Sequence, residues 1–278
     1  MKTYKNIITI AAAVLVIISV FSGCMSIHGS NRLNPEKTWV VLVEKDYYPA
    51  GYADLNIDFE NSKRLMKLFG SLGVPDENIL FIKNDVGEQQ IRESFEWLAE
   101  NADEDATIFY YMAAHGSYIR KRLRWNFLTP PQWNSLPQSN KIMVVDSCNA
   151  GEFISRFEES EESGITYGVV ASDELNWWGE ESEGLPIIGS IWVNYFIEAF
   201  ENPAADQNGD GALSFTEAHC YTNAAVQQYT KENIFGNEDY LNSYIRYGYD
   251  PVTKPAYPNA AMNNHLEKEL ILYRYGIE

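Results

Sequence analysis

The sequence predicts an α/β fold of three layers, with a mostly parallel sheet that carries helices on both faces. Two observations predict it. Strand-like and helix-like segments alternate from about residue 38 onward, and this order is typical of parallel strands joined by helices. The strand segments are also continuously apolar, as in TWVVLVEKD (38–46) and ATIFYYMAA (106–114), which is expected of strands buried on both faces.

Each element follows from its own pattern. Short apolar runs between turn residues predict strands at 38–46, 79–85, 106–114, 141–147 and 165–172. Apolar residues at helical spacing predict helices at 57–73, 88–102, 190–200 and 215–229. The C-terminal segment 251–278 contains Pro-bounded turns and one apolar run, ILY, which indicates an edge strand.

The N-terminal residues predict export. Lys2 and Lys5 precede the apolar run 7–21, and small residues lead to Cys24, so residues 1–23 have the pattern of a signal peptide. The cysteine after Ser-Gly resembles a lipobox and makes Cys24 the candidate lipidation site of a membrane lipoprotein on the extracytoplasmic side. An uncleaved anchor and ordinary secretion are the alternatives. The polar segment 24–37 is predicted to be a tether, and residues 38–278 one domain.

Charge and cysteine content narrow the classes of partner and fold. The formal net charge of −18 repels phosphate backbones, so we expect no nucleic-acid partner. It attracts cations and basic peptides, or simply keeps an exported protein soluble. Three cysteines do not form a disulfide framework. Cys220 fits a packing position in a helix, whereas Cys148 follows a strand and suggests chemistry.

His115 and Cys148 each follow an apolar strand. Ligand sites of parallel sheets lie at the carboxyl ends of the strands, so the two side chains emerge together if these strands are neighbours. An imidazole can accept the proton of a thiol and later protonate a leaving amine. Gly116 and the Cys148-Asn149-Ala150-Gly151 turn allow backbone N–H groups to point at a developing oxyanion.

The segments YYMAAHGS (110–117) and VVDSCNAGEF (144–153) resemble the caspase/legumain-like cysteine peptidases, a clan that includes metacaspases and clostripain. The resemblance extends loosely over residues 38–230 and implies a three-layer caspase-like fold. It also implies that Cys148 is the nucleophile, that His115 is the general acid and base, and that an acyl-enzyme forms. The N–H groups of Gly116 and Cys148 would bind the oxyanion.

The same resemblance suggests the substrate preference. In metacaspase-like and clostripain-like members, an acid at the position of Asp146 lines the specificity pocket and favours Arg or Lys. Asp58, or the nearby Asp54, matches a second acidic pocket position, and two buried carboxylates would select a cation. Asp146 capping a turn is the alternative.

The segment ASDELNWWGEE (171–181) resembles the legumain-like branch, in which a preference for Asn is the alternative. Asp173 and Trp177 follow the next strand. They either border the substrate cleft or pack locally.

Residues 206–217, DQNGDGALSFTE, match the EF-hand loop pattern. An oxygen-only donor set of this kind selects Ca²⁺. A single loop, without a paired second one, predicts a structural rather than a sensory role. The predicted ligands are Asp206, Asn208, Asp210, Ala212 (through its carbonyl), Ser214 and Glu217.

Together these patterns predict an exported cysteine endopeptidase with peptide or protein substrates, no cofactor for catalysis and one structural calcium ion. One alternative is a non-catalytic calcium-binding lipoprotein with the same fold. Another is an Asn-specific legumain-like peptidase or a transamidase, because an acyl-enzyme can react with an amine instead of water.

Overall fold

The computed structural model describes most of the chain between residues 30 and 276. The described residues are 30–48, 54–84, 86–116, 118–119, 122–123, 130–138, 140–148, 150–151, 166–169, 178–179, 187–238, 241–242, 245, 260–263 and 268–276. The predicted signal peptide and Cys24 lie outside them. Within the described part of the chain, no helix is long and apolar enough to span a membrane.

The elements alternate as the sequence predicts, with ends that differ by a few residues. The described strands are β1 (Ser30–Arg32), β2 (Thr38–Glu44), β3 (Ile79–Lys83), β4 (Thr107–Ala113), β5 (Tyr118–Ile119), β6 (Arg122–Leu123), β7 (Asn140–Asp146), β8 (Thr166–Val169), β9 (Trp178–Gly179), β10 (Gly189–Ser190), β11 (Ala212–Ser214), β12 (Ala261–Asn263) and β13 (Glu269–Arg274). The described α-helices are α1 (Glu60–Ser71), α2 (Glu88–Asn101), α3 (Pro130–Asn134), α4 (Ile191–Glu201) and α5 (Phe215–Tyr229). A π-helical turn, Thr230–Ile234, extends α5.

A six-stranded sheet in the order β12-β8-β7-β4-β2-β3 forms the centre of the fold. All of its neighbouring strands pair in parallel, except that β12 is antiparallel to β8. The strands β4 and β7, which carry the candidate catalytic residues at their ends, are direct neighbours. The prediction of a three-layer fold around a mostly parallel sheet is confirmed.

Alternate residues of the central strands face two separate cores. On one face, Leu42, Tyr111 and Val144 pack with the apolar sides of α1, α4 and α5. On the other face, Val43 and Met112 pack with α2 and with Trp133 of α3. Both faces are covered, so the strands read as continuously apolar rather than alternating.

A second, three-stranded sheet in the order β1-β13-β11 corrects two predictions. Residues 30–37, assigned to the tether, belong to the fold, because β1 pairs with β13 and Leu33 is buried. The C-terminal apolar run is not an edge strand, because β13 lies between β1 and β11. Both short strands are held by partners distant in sequence, which the local pattern does not reveal.

Candidate active site

The register between β4 and β7 places His115 and Cys148 at the same end of the sheet. Ala113 pairs with Asp146, and the next amide, that of Ala114, donates to the Asp146 carbonyl at 3.3 Å. His115 and Cys148 each lie two residues beyond this pair. Both residues are partly exposed, and Cys148 forms no disulfide.

The two turns contact each other through their backbones. A Cβ atom at Gly116 would overlap the carbonyl oxygen of Cys148 and would lie 2.6 Å from its carbonyl carbon and 2.8 Å from its nitrogen. No side chain fits in that space, because these neighbours are backbone atoms that cannot rotate away. Glycine at position 116 therefore allows the turn after β4 to meet the turn after β7.

Tyr48 holds the backbone of His115. Its hydroxyl accepts a hydrogen bond from the His115 amide at 2.7 Å, and the two rings lie 4.8 Å apart between centroids at an angle of 51°. Burial raises the pKa of Tyr48 to about 12, so the phenol stays protonated at neutral pH. Tyr48 was not among the predicted site residues. Its position just after β2, at the same end of the sheet, could have indicated it.

Asp54, predicted as an alternative pocket residue, supports Tyr48. Its Oδ1 accepts a hydrogen bond from the Tyr48 amide at 2.6 Å. A carboxylate that accepts from backbone N–H fixes the local chain path. Asp54 therefore acts on the candidate site through the segment that carries Tyr48.

Asp146 is fully buried below the candidate nucleophile. The hydroxyl of Tyr111 on β4 donates to its Oδ2 at 2.7 Å. Burial, together with the charges of Asp146 and Glu44, raises the pKa of Tyr111 far above its ordinary value, so Tyr111 remains a hydrogen-bond donor. This contact fixes the orientation of the Asp146 carboxylate from the neighbouring strand.

Asp58 is not the second buried carboxylate that the resemblance implies. Its side chain is 76% exposed and forms an ion pair with Lys63 at 2.6 Å. The physical reason lies in the backbone: Asn56, Asp58 and Phe59 adopt left-handed φ angles of 54°, 52° and 58°. This turn directs the Asp58 side chain towards solvent just before α1 begins.

Two other carboxylates at the end of β2 are buried instead, and the sequence analysis named neither. Asp46 accepts hydrogen bonds from the amides of Ile57 and Phe59 at 3.2 and 3.1 Å, and so stabilises the left-handed turn. Glu44 Oε2 accepts from the Ser62 amide at 2.8 Å. Burial raises the pKa of Glu44 to about 7, Ser62 opposes this effect, and the nearby charges of Asp146 and Asp46 add to it.

Several predicted site residues lie outside the described residues. They include Asp173 and Trp177, which were predicted to border the cleft or to pack locally. The neighbouring Trp178 begins β9, which pairs with β10 in an antiparallel pair. The predictions for Asp173, Trp177 and Cys24 therefore stay predictions.

The EF-hand-like loop folds around its first carboxylate. Asp206 accepts hydrogen bonds from the amides of Gly209, Asp210 and Gly211 at 2.8, 3.1 and 2.8 Å. Gly209 and Gly211 adopt φ angles of 75° and 77°, which favour glycine. At the other end, Glu217 Oε1 accepts from the amide of Asn208 at 3.2 Å, so both ends of the loop close on one another.

The acidic side chains of this loop would bind a hard cation only together with other oxygen donors of the loop. Among the described residues, no three His, Cys, Asp or Glu side chains form a metal cluster. A cation would therefore also need the amide oxygen of Asn208, the carbonyl of Ala212 and the hydroxyl of Ser214. The loop also contains β11, which pairs with β13 in antiparallel orientation.

Cys220 differs from its prediction. It is disulfide-bonded, so its interpretation as a packing cysteine is wrong. Cys24, the candidate lipidation site, lies outside the described residues.

The comparisons with known proteins identify the family. The caspase-domain family (Peptidase_C14) matches residues 37–245, which is most of the chain and includes both candidate catalytic residues. The chain belongs to the caspase-domain family. The matched range includes the two apolar strands, ending before His115 and Cys148, that carry the resemblance described above.

Solved structures support the same fold. Caspase-1 from Spodoptera frugiperda is similar to this caspase-domain protein with a TM-score of 0.57 and 11% sequence identity. The similarity covers 89% of this chain and 94% of that one. At this identity the similarity shows the fold alone. A comparison with curated proteins found no significant match. The family assignment supports a function of the cysteine-peptidase type.

Proposed function

We propose that this caspase-domain protein is an exported cysteine endopeptidase in which Cys148 and His115 form the catalytic dyad. The observation that carries the proposal is the backbone contact between Gly116 and Cys148 at the ends of two adjacent strands. It brings a partly exposed thiol and an imidazole to one edge of the sheet. Those are the two groups that thiol-dependent peptide hydrolysis requires.

In the proposed reaction, Cys148 Sγ loses its proton to His115 and attacks the carbonyl carbon of the scissile peptide bond. The N–H groups of Gly116 and Cys148 stabilise the resulting oxyanion. His115 then protonates the leaving amine, the C–N bond breaks, and a thioester remains on Cys148. Water, deprotonated by His115, hydrolyses the thioester and releases the acid product and the free thiol. Tyr48 positions His115 during these steps.

We further propose that the enzyme cleaves after Arg or Lys. The buried carboxylate of Asp146, two residues before the nucleophile, supports this preference. The net charge of −18 favours the approach of basic peptide segments. A legumain-like preference for Asn, or transfer of the acyl group to an amine, is the alternative within the same chemistry.

Hydrolysis of fluorogenic peptides tests the proposal directly. We expect the purified protein to cleave peptides with Arg or Lys before the scissile bond, and expect Cys148→Ala to abolish cleavage. Labelling by an acyloxymethyl ketone peptide probe should also require Cys148. Absence of both activities in folded wild-type protein would favour the non-catalytic alternative. A preference for Asn or Asp peptides would refute the proposed specificity.

We propose that the loop 206–217 binds one structural Ca²⁺ between α4 and α5. Its closed shape and oxygen donors support this. Calcium should raise the melting temperature, and Glu217→Gln should remove most of that increase. Glutamine is the suitable replacement because it still has an oxygen to accept the hydrogen bonds that Glu217 receives at the start of α5. Equal melting with calcium and with EDTA would refute the proposal.

We also propose that Cys24 is lipidated after removal of residues 1–23, so that the protein is attached to the extracytoplasmic side of a membrane. A sulfur that carries a lipid thioether cannot also form a disulfide. Mass spectrometry of non-reduced peptides from the membrane fraction therefore distinguishes two states of Cys24. A diacylglyceryl adduct supports the anchor, whereas a disulfide with Cys220 would refute it.

A further inference from the structure

We propose that Glu44 and Asp146 together form the floor of the pocket that binds the basic side chain before the scissile bond. This inference deepens the proposed function and rests on it. The two acids occupy the same row of the sheet, because Glu44 pairs with Ala113 and Ala113 pairs with Asp146. Residues paired in parallel strands point to the same face, so both carboxylates lie on the side that α1 and α4 cover.

The middle residue of the row separates the two carboxylates. Across two strand spacings, Glu44 and Asp146 are about 10 Å apart at their Cα atoms. The side chain between them, that of Ala113, is only a methyl group. A guanidinium or ammonium group placed over Ala113 would therefore lie between the two carboxylates, about two residues (about 6.6 Å) along the strand direction from His115 and Cys148.

Unpaired polar atoms around this row indicate that a polar ligand belongs there. Glu44 is fully buried, yet its Oε1 accepts no hydrogen bond from any residue that the structure describes. Asn61 Nδ2, in the first turn of α1 above the row, is also buried without a hydrogen-bond partner among the described residues. Buried polar groups are almost always paired, so two exceptions in one place require an explanation.

Helix capping explains only part of the arrangement. Glu44 Oε2 caps α1 through the Ser62 amide, and Asn61 Oδ1 accepts from the Ser190 amide at the start of α4 at 2.6 Å. These bonds use one oxygen of each side chain. The second oxygen of Glu44 and the amino group of Asn61 remain for a ligand, which can accept from Asn61 through a peptide carbonyl and donate to Glu44 through a cation.

The charges near Glu44 favour a cation. Two buried carboxylates cannot both ionise easily unless a positive charge compensates them. The raised pKa of Glu44 is consistent with this, and it implies that a bound Arg or Lys side chain drives a proton from the pair. The titratable and charged groups that interact with Glu44 from the surrounding elements are Asp146, Asp46, Tyr48, Lys63 and Tyr111.

The first test compares Glu44→Gln with wild type on two matched peptides, one with arginine and one with its neutral isostere citrulline before the scissile bond. We expect the ratio of kcat/KM between arginine and citrulline to fall about tenfold or more in the variant, because one charged hydrogen bond is lost. The control is Glu96→Gln on the exposed side of α2, which should leave the ratio unchanged. An unchanged ratio in Glu44→Gln would overturn the inference.

The second test needs no variant and so does not depend on whether Glu44→Gln folds. In wild type, the same arginine-to-citrulline ratio should decrease as the pH falls from 8 to 6. Any effect of pH on the chemical step is common to both peptides and cancels in the ratio. A ratio that stays constant over this range would overturn the inference.

The outcomes separate this inference from the proposed function. If no peptide is cleaved in a Cys148-dependent manner, the proposed function itself fails. If cleavage after Arg occurs but neither test changes the ratio, only the role of Glu44 fails, and Asp146 alone accounts for the preference.

Discussion

A methyl group at position 116 should separate the two catalytic turns. In Gly116→Ala, the new Cβ would lie 2.6 Å from the Cys148 carbonyl carbon, whereas ordinary contact between carbon atoms is about 3.5 Å. The turns must therefore move apart by about 1 Å. A displacement of that size costs about 100-fold in rate when it affects reacting groups, so we expect kcat/KM to fall by at least that factor.

The assay for Gly116→Ala combines turnover of an arginine peptide with alkylation of Cys148 by iodoacetamide. Alkylation should persist, because it needs a thiol but not the oxyanion site, whereas turnover is lost. The matched control is Gly70→Ala in α1, where a Cβ meets no atom within 4 Å. That variant should retain activity and gain about 0.5–1 kcal/mol of stability. Wild-type kcat/KM and melting temperature in Gly116→Ala would refute the contact between the turns.

Three further predictions concern ionisable residues. The pKa of Glu44 is raised from 4.5 to about 7, so its stabilising effect is present below pH 4.5 and is lost as the pH rises through 7. Denaturant unfolding should therefore show Glu44→Gln more stable than wild type by about 3 kcal/mol at pH 8 and nearly equal at pH 4. Burial lowers the pKa of His219 from 6.5 to about 4, so stability present above pH 6.5 is lost as the pH falls through 4. The His219→Gln variant should lose less stability than wild type as the pH falls. Equal losses of unfolding free energy in the variant and in wild type would contradict this. Asp58→Asn should change kcat/KM for arginine peptides by less than about twofold, because an exposed ion pair contributes little. A tenfold loss would indicate that Asp58 contacts the substrate after all.

The sequence predicted the central sheet, and the shared edge at which His115 and Cys148 lie, because the signals for its strands are local. Strands buried on both faces must be continuously apolar, so β2, β4 and β7 could be identified from composition. The candidate catalytic residues could be placed at one edge because the chain leaves each parallel strand at the edge where ligand sites lie. The backbone contact at Gly116 agrees with the predicted meeting of the two turns.

The row shared by Glu44 and Asp146 and the second sheet could not be predicted because their partners are distant in sequence. Glu44 and Asp146 lie in one row only through the register of β2 and β7 with β4, and no local pattern contains a register. The polar strand β1, SNR, lacks any strand signal and forms because β13 lies beside it. The exposure of Asp58 was not predicted because it depends on a left-handed turn, stabilised by Asp46, that directs the Asp58 side chain towards solvent.

The pairing of β1 with β13 has a consequence for a chain that is cut between residues 151 and 187. The upstream fragment would keep both catalytic residues, and the downstream fragment would keep α4, α5 and β13. Ser30 would still pair with Glu269, and Arg64 of α1 would still donate to Asn194 of α4 at 2.8 Å. Proteolytic nicking would therefore yield a two-piece enzyme that migrates as one particle on a sizing column and separates only in denaturant.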